Sequence, residues 1–378
     1  MNSKKPNILR ILSISDVHLN HGRNPTEKII ANLDKYVLDR PDFHDLDIMF
    51  IAGDLFDQLM EHDSVNRAPI YLWFARLIAK CIENDVILRC LEGTPDHDWK
   101  QYEIFDTLKA MLQPNLDYKF IKTVTIEYIE KLGINVLYVP DEFRPKAEST
   151  LEVVKELMAS KGLEQVDYAV MHGFFPHQIP EIADSPACHN SDAYIELVKH
   201  LVFIGHVHSH SIFSKIVSQG SFDRLAHGEE DDKGFVIAQV NHKTGEKVVS
   251  FIKNHDAMIF KTIDVTGYSM EQALENIDKV CNEIPDGSNV RIKANKDHPI
   301  FSDMAALGRR HPLVWFTAKK VDQDQPQNEK NIHQVNLMYK PVNITKDNIF
   351  EMMFKRPAFE QVDAKLLDIC KFHLGDVL

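Results

Sequence analysis

The chain has 378 residues, of which 44% are hydrophobic and 26% are charged. This balance is typical of a folded globular protein and excludes a disordered chain, which buries too little apolar surface to offset the entropy of folding. The net charge of −13 argues against general attraction to nucleic acid, although residues 301–378 carry 11 basic and only 10 acidic side chains.

The sequence also indicates a cellular location. No run approaches the roughly 20 apolar residues that cross a bilayer, and the opening MNSKKP leads into a strand-like run without the pattern of a signal peptide. The five cysteines are scattered and odd in number, which fits neither a disulfide framework nor a zinc ribbon. We therefore expect a cytoplasmic protein that does not bind membranes.

Short apolar runs alternate with helix-like stretches, which is the pattern of an α/β fold. The runs are Ile8 to Ser15, Asp47 to Ala52, Val86 to Leu91, Asn135 to Pro140, Asp167 to Met171 and His200 to Gly205. Because these runs show little alternation of apolar and polar residues, we expect strands that are covered on both faces.

Aspartate and histidine directly follow five of these six runs. They are Asp16 and His18, then Asp54 and Asp57, then Asp96, His97 and Asp98, then His172, and finally His206 and His208. The carboxyl ends of strands in α/β layers face one crevice, where ligands bind. Residues far apart in the sequence are therefore expected to form one cluster.

Carboxylate and imidazole together suit divalent manganese, iron or zinc better than calcium or magnesium. The candidate ligands are too many for one ion, whereas two ions that share a carboxylate can hold the reactants of in-line displacement at phosphorus. Each motif alone has a simpler interpretation: Asp57 could cap a helix, and His172 could be a core histidine. Their common position after strands favours a metal site.

In this order, the motifs D-x-H, GDLFD, a G-x-H-D variant, MHG and GHVH resemble the signature of calcineurin-like metallophosphoesterases, over about residues 8 to 240. AGDLFD and the stretch Gln219 to Ile237 (QGSFDRLAHGEEDDKGFVI) are similar to the SbcD family, which includes phage recombination nucleases and pairs with an SMC-like ATPase. The resemblance implies a layered α/β/β/α core, a small C-terminal α+β capping domain and terminal helices. It also implies the cytoplasm of a prokaryotic cell or a phage-infected host.

The resemblance further implies two divalent ions, with Mn²⁺ preferred. One ion would be held by Asp16, His18, Asp54 and His208. The other would be held by Asp54, His172, His206 and the residue at the position of the family's Asn. His97 matches the catalytic histidine, which stabilises the transition state or protonates the leaving oxygen. Asp98 could orient the His97 ring or be a solvated surface carboxylate, and Asp57 is assigned to the same catalytic set.

The chain departs from the family's GNHD motif, because it has Gly93-Thr-Pro-Asp-His-Asp98 and no Asn. Asp96, directly before His97, is the favoured substitute ligand, with Thr94 as the alternative. An added carboxylate would hold cations more firmly and reduce their Lewis acidity. Metal preference or rate is therefore expected to differ from the family's.

Three segments are expected: a nuclease domain (1–253), a capping domain (258–321), and a linker with C-terminal helices (322–378). The capping domain has cations that could contact DNA phosphates, although solvated surface charge is the preferred interpretation of any single one: Arg291, Lys293, Arg309, Arg310, Lys319 and Lys320. In the last segment Ile349, Met352, Met353 and Phe354 pack onto the body or dock on the ATPase. In the SbcD family, helices corresponding to residues 59–84 and to Tyr102 to Met111 form a homodimer, which makes Tyr71 and Trp73 candidate contacts; core packing is the alternative.

The leading hypothesis is a manganese-dependent nuclease that acts on double-stranded DNA ends in repair or recombination with an SbcC-like ATPase. One alternative is a phosphatase or small-molecule phosphodiesterase of the same fold. Another is a scaffold subunit whose altered Asn position has weakened catalysis. Counting the bound ions and testing the substrates distinguish these three hypotheses.

Overall fold

A computed structural model describes residues 7–61, 63–112, 116–141, 146–179 and 185–321 of the chain. Within these ranges the strands form two six-stranded sheets and one three-stranded sheet. The α/β class predicted from the sequence is confirmed. None of the helices in the same ranges has the length and apolar character needed to cross a membrane.

The first sheet contains the strands formed by the first three apolar runs. Its members are β1 (Ile8–Ile14), β2 (Ile48–Ala52), β3 (Ile87–Leu91), β4 (Tyr118–Ile121), β11 (Gly234–Asn241) and β12 (Lys247–Lys253). The order is β12-β11-β1-β2-β3-β4, with β1 to β4 parallel and β11 antiparallel to both of its neighbours.

The second sheet contains the other three predicted strands. Its members are β5 (Thr125–Ile129), β6 (Ile134–Val139), β7 (Val166–Gly173), β8 (Val198–His206), β9 (Ser211–Phe213) and β10 (Ile216–Ser218). The order is β5-β6-β7-β8-β10-β9, in which β6, β7, β8 and β10 are parallel and the two edge strands are antiparallel.

Helices cover the outer face of each large sheet. They are α1 (Thr26–Leu33), α2 (Arg67–Glu83), α3 (Pro95–Asp98), α4 (Glu103–Leu112), α5 (Ala147–Ser160) and α6 (Ser191–Leu197). A π-helical turn, Asp34–Leu38, continues α1, and 3-10 turns span Phe43–Asp45, Pro176–Gln178 and Pro299–Ser302. Side chains of α1, α2 and α4 share one buried cluster with the first sheet, and those of α5 and α6 share another with the second.

The two sheets pack face to face, which explains the unbroken apolar runs. In β2, Ile48 and Phe50 point into the cluster between the sheets, whereas Met49 and Ile51 point to the helices. The Phe50 ring lies 6.0 Å from the ring of Phe203 on the second sheet. Both faces of such a strand are apolar because both are covered. The order of layers is therefore α/β/β/α, as expected.

A third, smaller sheet follows the first two. It consists of β13 (Phe260–Asp264), β14 (Asn289–Asn295) and β15 (Trp315–Val321), all parallel, with helices α7 (Met270–Glu283) and α8 (Met304–Arg310). A capping box between Ser269 and Gln272 starts α7. The strand, helix, strand order predicted from about Met258 is confirmed. The predicted helices after residue 322, with Ile349 and Phe354, lie outside the described residues.

Two side chains that were candidates for a dimer face lie inside the core. Trp73 is 1% exposed and Tyr102 is 0% exposed, and both belong to the cluster between the first sheet and its helices. On the same helices Leu72 and Met111 are exposed. Trp73 and Tyr102 therefore stabilise the fold and are not available for contact with a second chain, which corrects that part of the dimer prediction.

Candidate metal centre

Loops after five strands meet where the two large sheets face each other. The backbone N–H of His206, at the end of β8, donates to both carboxylate oxygens of Asp16 after β1, at 2.9 and 3.0 Å. Nδ1 of His172, near the end of β7, lies 2.8 Å from the carbonyl oxygen of Ala52 in β2. These bonds join the sheets directly at the site, so the ligands of one sheet are held against those of the other.

The side chains form three overlapping groups in which all the candidate ligand atoms lie within 4.8 Å of one another. The groups are Asp16, His18 and His208; His18, Asp54 and His97; and Asp54, His172 and His206. Asp54 and His18 each belong to two groups. The arrangement is therefore elongated, with a three-residue group at each end and Asp54 close to its middle.

Asp54 is the most central group. Its carboxylate lies 3.3 Å from Nε2 of His172, 3.1 Å from Nδ1 of His97 and 4.0 Å from Nε2 of His18. Burial would raise the pKa of Asp54, but the charge of His172 outweighs it and holds the pKa well below its ordinary value. Asp54 therefore carries a full negative charge among imidazoles.

Two of the candidate ligand histidines are oriented by carboxylates outside the groups. Nδ1 of His18 donates to Asp57 at 3.2 Å, and Nδ1 of His208 donates to Glu229 at 2.9 Å. In each ring Nε2 then faces the site. A second hydrogen-bond partner of this kind fixes the tautomer and orientation of most metal-binding histidines. Asp57, assigned to the catalytic set from the sequence, lies in this outer position.

His172 has the same arrangement with a backbone acceptor. Because the Ala52 carbonyl can only accept, Nδ1 of His172 donates and Nε2 carries the lone pair in the neutral ring. The Nε2 atoms of His172 and His18 are buried and have no hydrogen-bond partner among the described residues. Buried polar atoms are almost always satisfied. A cation bound beside Asp54 would satisfy both.

The protonation preferences of the histidines reflect a strongly negative site. Burial lowers the pKa of His172, but Asp54 and then Asp16 outweigh it and raise the pKa to about 10. Burial, followed by the charge of His172, lowers the pKa of His206 to about 4. His172 thus takes a proton where a metal ion would lie, while His206 stays neutral and ready to act as a ligand.

The backbone at the site is strained. Asp16, His18, Asp54 and His206 have φ of 50°, 54°, 49° and 100°, a region that residues with a side chain rarely adopt. Each such conformation costs about 1–3 kcal/mol and persists only where the surroundings impose it. Here the loops after β1 and β2 are joined by backbone bonds, such as Val17 N–H to Asp54 O at 2.9 Å.

Two glycines allow the loops to approach so closely. A Cβ added at Gly53, where φ is +86°, would lie 2.2 Å from Nδ1 of His172. A Cβ at Gly93 would lie 2.2 Å from the backbone nitrogen of Asp54. Both distances are far inside van der Waals contact. Any larger residue at Gly53 or Gly93 would therefore displace His172 or Asp54.

Asp98 anchors the loops after β2 and β3 through their backbone. It is fully buried, and its carboxylate accepts from the backbone N–H of Asp54 at 2.8 Å, Gly93 at 2.8 Å and Phe56 at 3.2 Å. Burial, with repulsion from Asp54, raises the pKa of Asp98 to about 8. Its described hydrogen bonds are to the backbone and not to His97. Asp98 therefore shapes the loop of Asp54, and it is not a solvated surface carboxylate.

Asp96, the favoured substitute for the family's Asn, is exposed and belongs to none of the three groups. Thr94, the alternative, is buried, and its backbone N–H and hydroxyl donate to the Asp54 carboxylate at 2.6 and 3.2 Å. The start of α3 explains the difference between the two side chains. Thr94 is the residue before α3, whereas Asp96 is the second residue of α3 and faces solvent. The position of Asp96 corrects the prediction, and Thr94 is the residue at the site.

Three residues at the site were missed from the sequence. Glu229 orients His208, and the buried Lys233 donates to the His208 carbonyl at 2.8 Å and pairs with Glu229 at 3.4 Å. Both lie in the stretch from Gln219 to Ile237, which was singled out without a role for any residue. Asp141 follows β6, the one predicted strand that was assigned no ligand. Burial, opposed by His172 and reinforced by Asp54, raises the pKa of Asp141 to about 6.

The Gln219 to Ile237 stretch also connects the site to the third sheet. Asp223 is buried and accepts from the Met258 N–H at 2.6 Å and from Asn32 at 3.0 Å. The Arg224 guanidinium donates to the Met258 carbonyl at 3.3 Å. The stretch whose Glu229 orients His208 is therefore hydrogen-bonded to Met258, shortly before β13 begins.

No protein-family model matches the chain, and no curated protein matches it. Many solved structures match the chain, and one of them, a crystal structure, has a TM-score of 0.36 and 12% sequence identity over 65% of this chain and 100% of that chain. A likeness of this size carries no argument about function. The geometry of the Asp/His groups is thus the basis for assigning one.

Proposed function

We propose that this chain is a metal-dependent phosphodiesterase that cuts DNA, as the nuclease subunit beside an SbcC-like ATPase. The observation that carries the proposal is the set of three overlapping Asp/His groups, two of which share Asp54. A carboxylate shared between two ligand groups suits a pair of divalent cations, and such pairs catalyse in-line displacement at phosphorus. Mixed oxygen and nitrogen donors favour manganese, iron or zinc, and we propose Mn²⁺.

The described side chains divide the work. Asp16, His18, Asp54 and His208 would hold one cation, and Asp54, His172 and His206 would hold the other, so that Asp54 is the shared ligand. When bound, the two ions supply Lewis acidity and a nucleophile at neutral pH. Asp57 and Glu229 keep Nε2 of their histidines directed at the site, and Asp98 keeps Asp54 in place.

His97 is placed to move a proton. It is half-buried at the rim, with Nδ1 3.1 Å from the Asp54 carboxylate. Its ring lies edge-on to that of His18, with the centroids 5.1 Å apart. An imidazole in such a position can donate a proton to the oxygen that leaves phosphorus. This role is separate from metal binding.

Two arginines, Arg23 and Arg291, favour a polymeric phosphodiester as the substrate over a molecule with a single phosphate. Arg23 lies 5.9 Å from the Phe260 ring of the third sheet, and its backbone N–H donates to Nδ1 of His21, whose Nε2 is 4.0 Å from Asp57. Burial and then the charge of Arg23 lower the pKa of Arg291 on β14. Neither arginine forms an ion pair with any described residue. Paired cations beside the site suit successive phosphates of a strand.

The test uses the full chain, freed of metal and then given Mn²⁺, with linear duplex DNA and with bis(p-nitrophenyl) phosphate. We expect hydrolysis of both, and none in the presence of EDTA. Arg23→Ala should slow DNA cleavage by about tenfold, the equivalent of one charged hydrogen bond, and leave the small ester unaffected. Lys155→Ala, an exposed cation on α5, is the matched control and should change neither rate.

The alternatives give different results. Turnover of the small ester without DNA cleavage, with or without the ATPase, would indicate a small-molecule phosphodiesterase or phosphatase. No turnover of either substrate, with fewer than two Mn²⁺ bound per chain at saturation, would indicate a scaffold subunit. Either result would overturn the nuclease proposal.

A further inference from the structure

A second group of aspartate and histidine lies at the other end of the same strands. Asp167, His200 and His242 have candidate ligand atoms within 4.8 Å of one another. Asp167 and His200 lie near the starts of β7 and β8, and His242 follows the end of β11 in the first sheet. Because His172 is five residues beyond Asp167 on an extended strand, the two clusters are separated by roughly 16 Å.

His200 is the most constrained of the three. It is 3% exposed, and its Nε2 is buried with no hydrogen-bond partner among the described residues. Its ring is edge-on to that of His242, with the centroids 4.9 Å apart. A buried ring nitrogen without a partner costs free energy unless something binds it. A cation between the two rings and Asp167 would do so.

The other two side chains are held by neighbours, as ligands usually are. Nε2 of His242 lies 3.1 Å from the hydroxyl of Tyr168, which is fully buried. One oxygen of Asp167 accepts from the backbone N–H of Asn135 at 2.7 Å, which leaves its other oxygen for a ligand. Such outer hydrogen bonds orient metal ligands. The group is therefore organised without the ion.

The donor set selects the ion. Two imidazoles and one carboxylate form the three-ligand set of many zinc sites, whereas calcium and magnesium prefer oxygen alone. Lys247 opposes a cation, but its ammonium donates to the His200 carbonyl at 3.2 Å and not to the ring. With three protein ligands the fourth position is left to water, so binding should be weaker than at a closed structural site.

We propose that Asp167, His200 and His242 bind a zinc ion that links the two large sheets at the end opposite the candidate metal centre. Two of its ligands come from strands of the second sheet and one from the first. Such a link would stabilise the packing of one sheet on the other. It is independent of the proposed DNA cleavage.

The test is a count of bound zinc. The full chain is stripped with EDTA, saturated with Zn²⁺ alone, freed of excess by gel filtration and measured by plasma mass spectrometry. His200→Asn should bind one zinc fewer per chain than the unmodified protein and should gain less melting temperature from zinc. His189→Asn, which alters a buried histidine packed on Phe175 and Tyr194, is the matched control and should lose none.

Asp167→Asn protects the test against misfolding, since an amide oxygen can still accept from the Asn135 N–H. It should also bind one zinc fewer, with an unchanged circular dichroism spectrum. Equal zinc content in the unmodified protein and both variants would overturn the proposal. An equal loss in the His189→Asn control would also overturn it, because the ion count would then not depend on this group.

Discussion

The two ends of β7 and β8 carry the same residue types in different settings. At the carboxyl ends, His206, Asp16 and Asp54 lie on backbone with positive φ. At the amino ends, Asp167 and His200 lie where the pairing of β7 with β8 shifts register, and neither has a positive φ. Backbone strain from positive φ, about 1–3 kcal/mol per residue, is therefore found in the carboxyl-end cluster and not at Asp167 or His200. Conformation therefore separates the two clusters better than residue type does.

Electrostatics separates them as well. At the carboxyl ends several carboxylates outweigh burial and raise the pKa of His172 to about 10. At the amino ends burial, followed by the charge of His242, lowers the pKa of His200 to about 4. The first cluster holds a proton on His172 beside Asp54, while burial and the charge of His172 keep His206 neutral. In the second cluster the neutral ring is that of His200.

The largest expected effect comes from Asp54→Asn, which removes the shared charge from the carboxyl-end cluster. Hydrolysis with Mn²⁺ should fall by about a thousandfold or more, since several kcal/mol of transition-state stabilisation depend on both cations. Initial rates on bis(p-nitrophenyl) phosphate measure this. Asp106→Asn, an exposed carboxylate on α4, is the control. If the Asp54 variant kept a third of the activity, the shared-ligand role would be rejected.

Gly53→Ala tests whether the strained end depends on close packing. The added Cβ meets Nδ1 of His172 at 2.2 Å, so we expect a loss of about 1–3 kcal/mol in the free energy of unfolding. Gly162→Ala is the control, because Gly162 also has positive φ, at 65°, but has no atom within 4 Å of the added Cβ. Urea unfolding of both variants gives the difference. Equal losses would show that φ alone matters.

Glu229→Gln tests the outer partner of His208. The affinity for Mn²⁺ should weaken by about 10- to 100-fold, as is usual when the group that orients a ligand histidine is changed. Glu230→Gln, at the neighbouring exposed position, should leave the affinity unchanged. Isothermal titration with Mn²⁺ measures both. An unchanged affinity in Glu229→Gln would mean that the 2.9 Å bond to His208 does not affect the metal site.

The smallest effect is expected away from both clusters, where charges neutralise one another. Arg89 is buried and donates to Glu127 at 2.8 and 2.9 Å. Burial raises the pKa of Glu127, but Arg89 and Lys119 outweigh it and lower the pKa. At pH 7, Glu127→Gln should cost about 1.5 kcal/mol.

The contribution of Glu127 to stability should depend on pH with a definite sign. Because its pKa is lower in the folded protein, the stabilisation is present above the ordinary value of 4.5 and is lost as the pH falls through the folded value. Unfolding free energies at pH 7 and at pH 3.5 should therefore differ less for Glu127→Gln than for the unmodified chain. A larger difference in the variant would contradict the pairing with Arg89.

Much of the fold follows from burial on both faces. All six apolar runs are strands, because a strand between two covered faces shows its apolar character directly in the sequence. The strands β4, β5, β9 to β12 and β15 were not predicted. β15 has mostly exposed side chains, and it is held by backbone pairing with β14. Such pairing depends on a partner remote in the chain, which a local pattern does not contain.

The candidate site likewise contains residues that the sequence predicted and residues that it did not. Asp16, Asp54, His172 and His206 were located because each directly follows or ends a strand. Glu229 was missed because it contacts His208 across 21 residues and lies between β10 and β11, in a segment with no strand or helix. Asp96 was chosen because it is adjacent to His97, but adjacent residues on a helical turn point in different directions. A position at the end of a strand therefore located candidate ligands, whereas adjacency to His97 on a helical turn did not.

The left-handed conformation of Asp16 and Asp54 has a consequence for substitution by glycine. Glycine at either position would relieve the unfavourable conformation, but it would also leave the N–H of His206 or of Thr94 without its acceptor. The relief of strain is therefore offset by lost hydrogen bonds, and neither carboxylate can be removed without a cost in the fold.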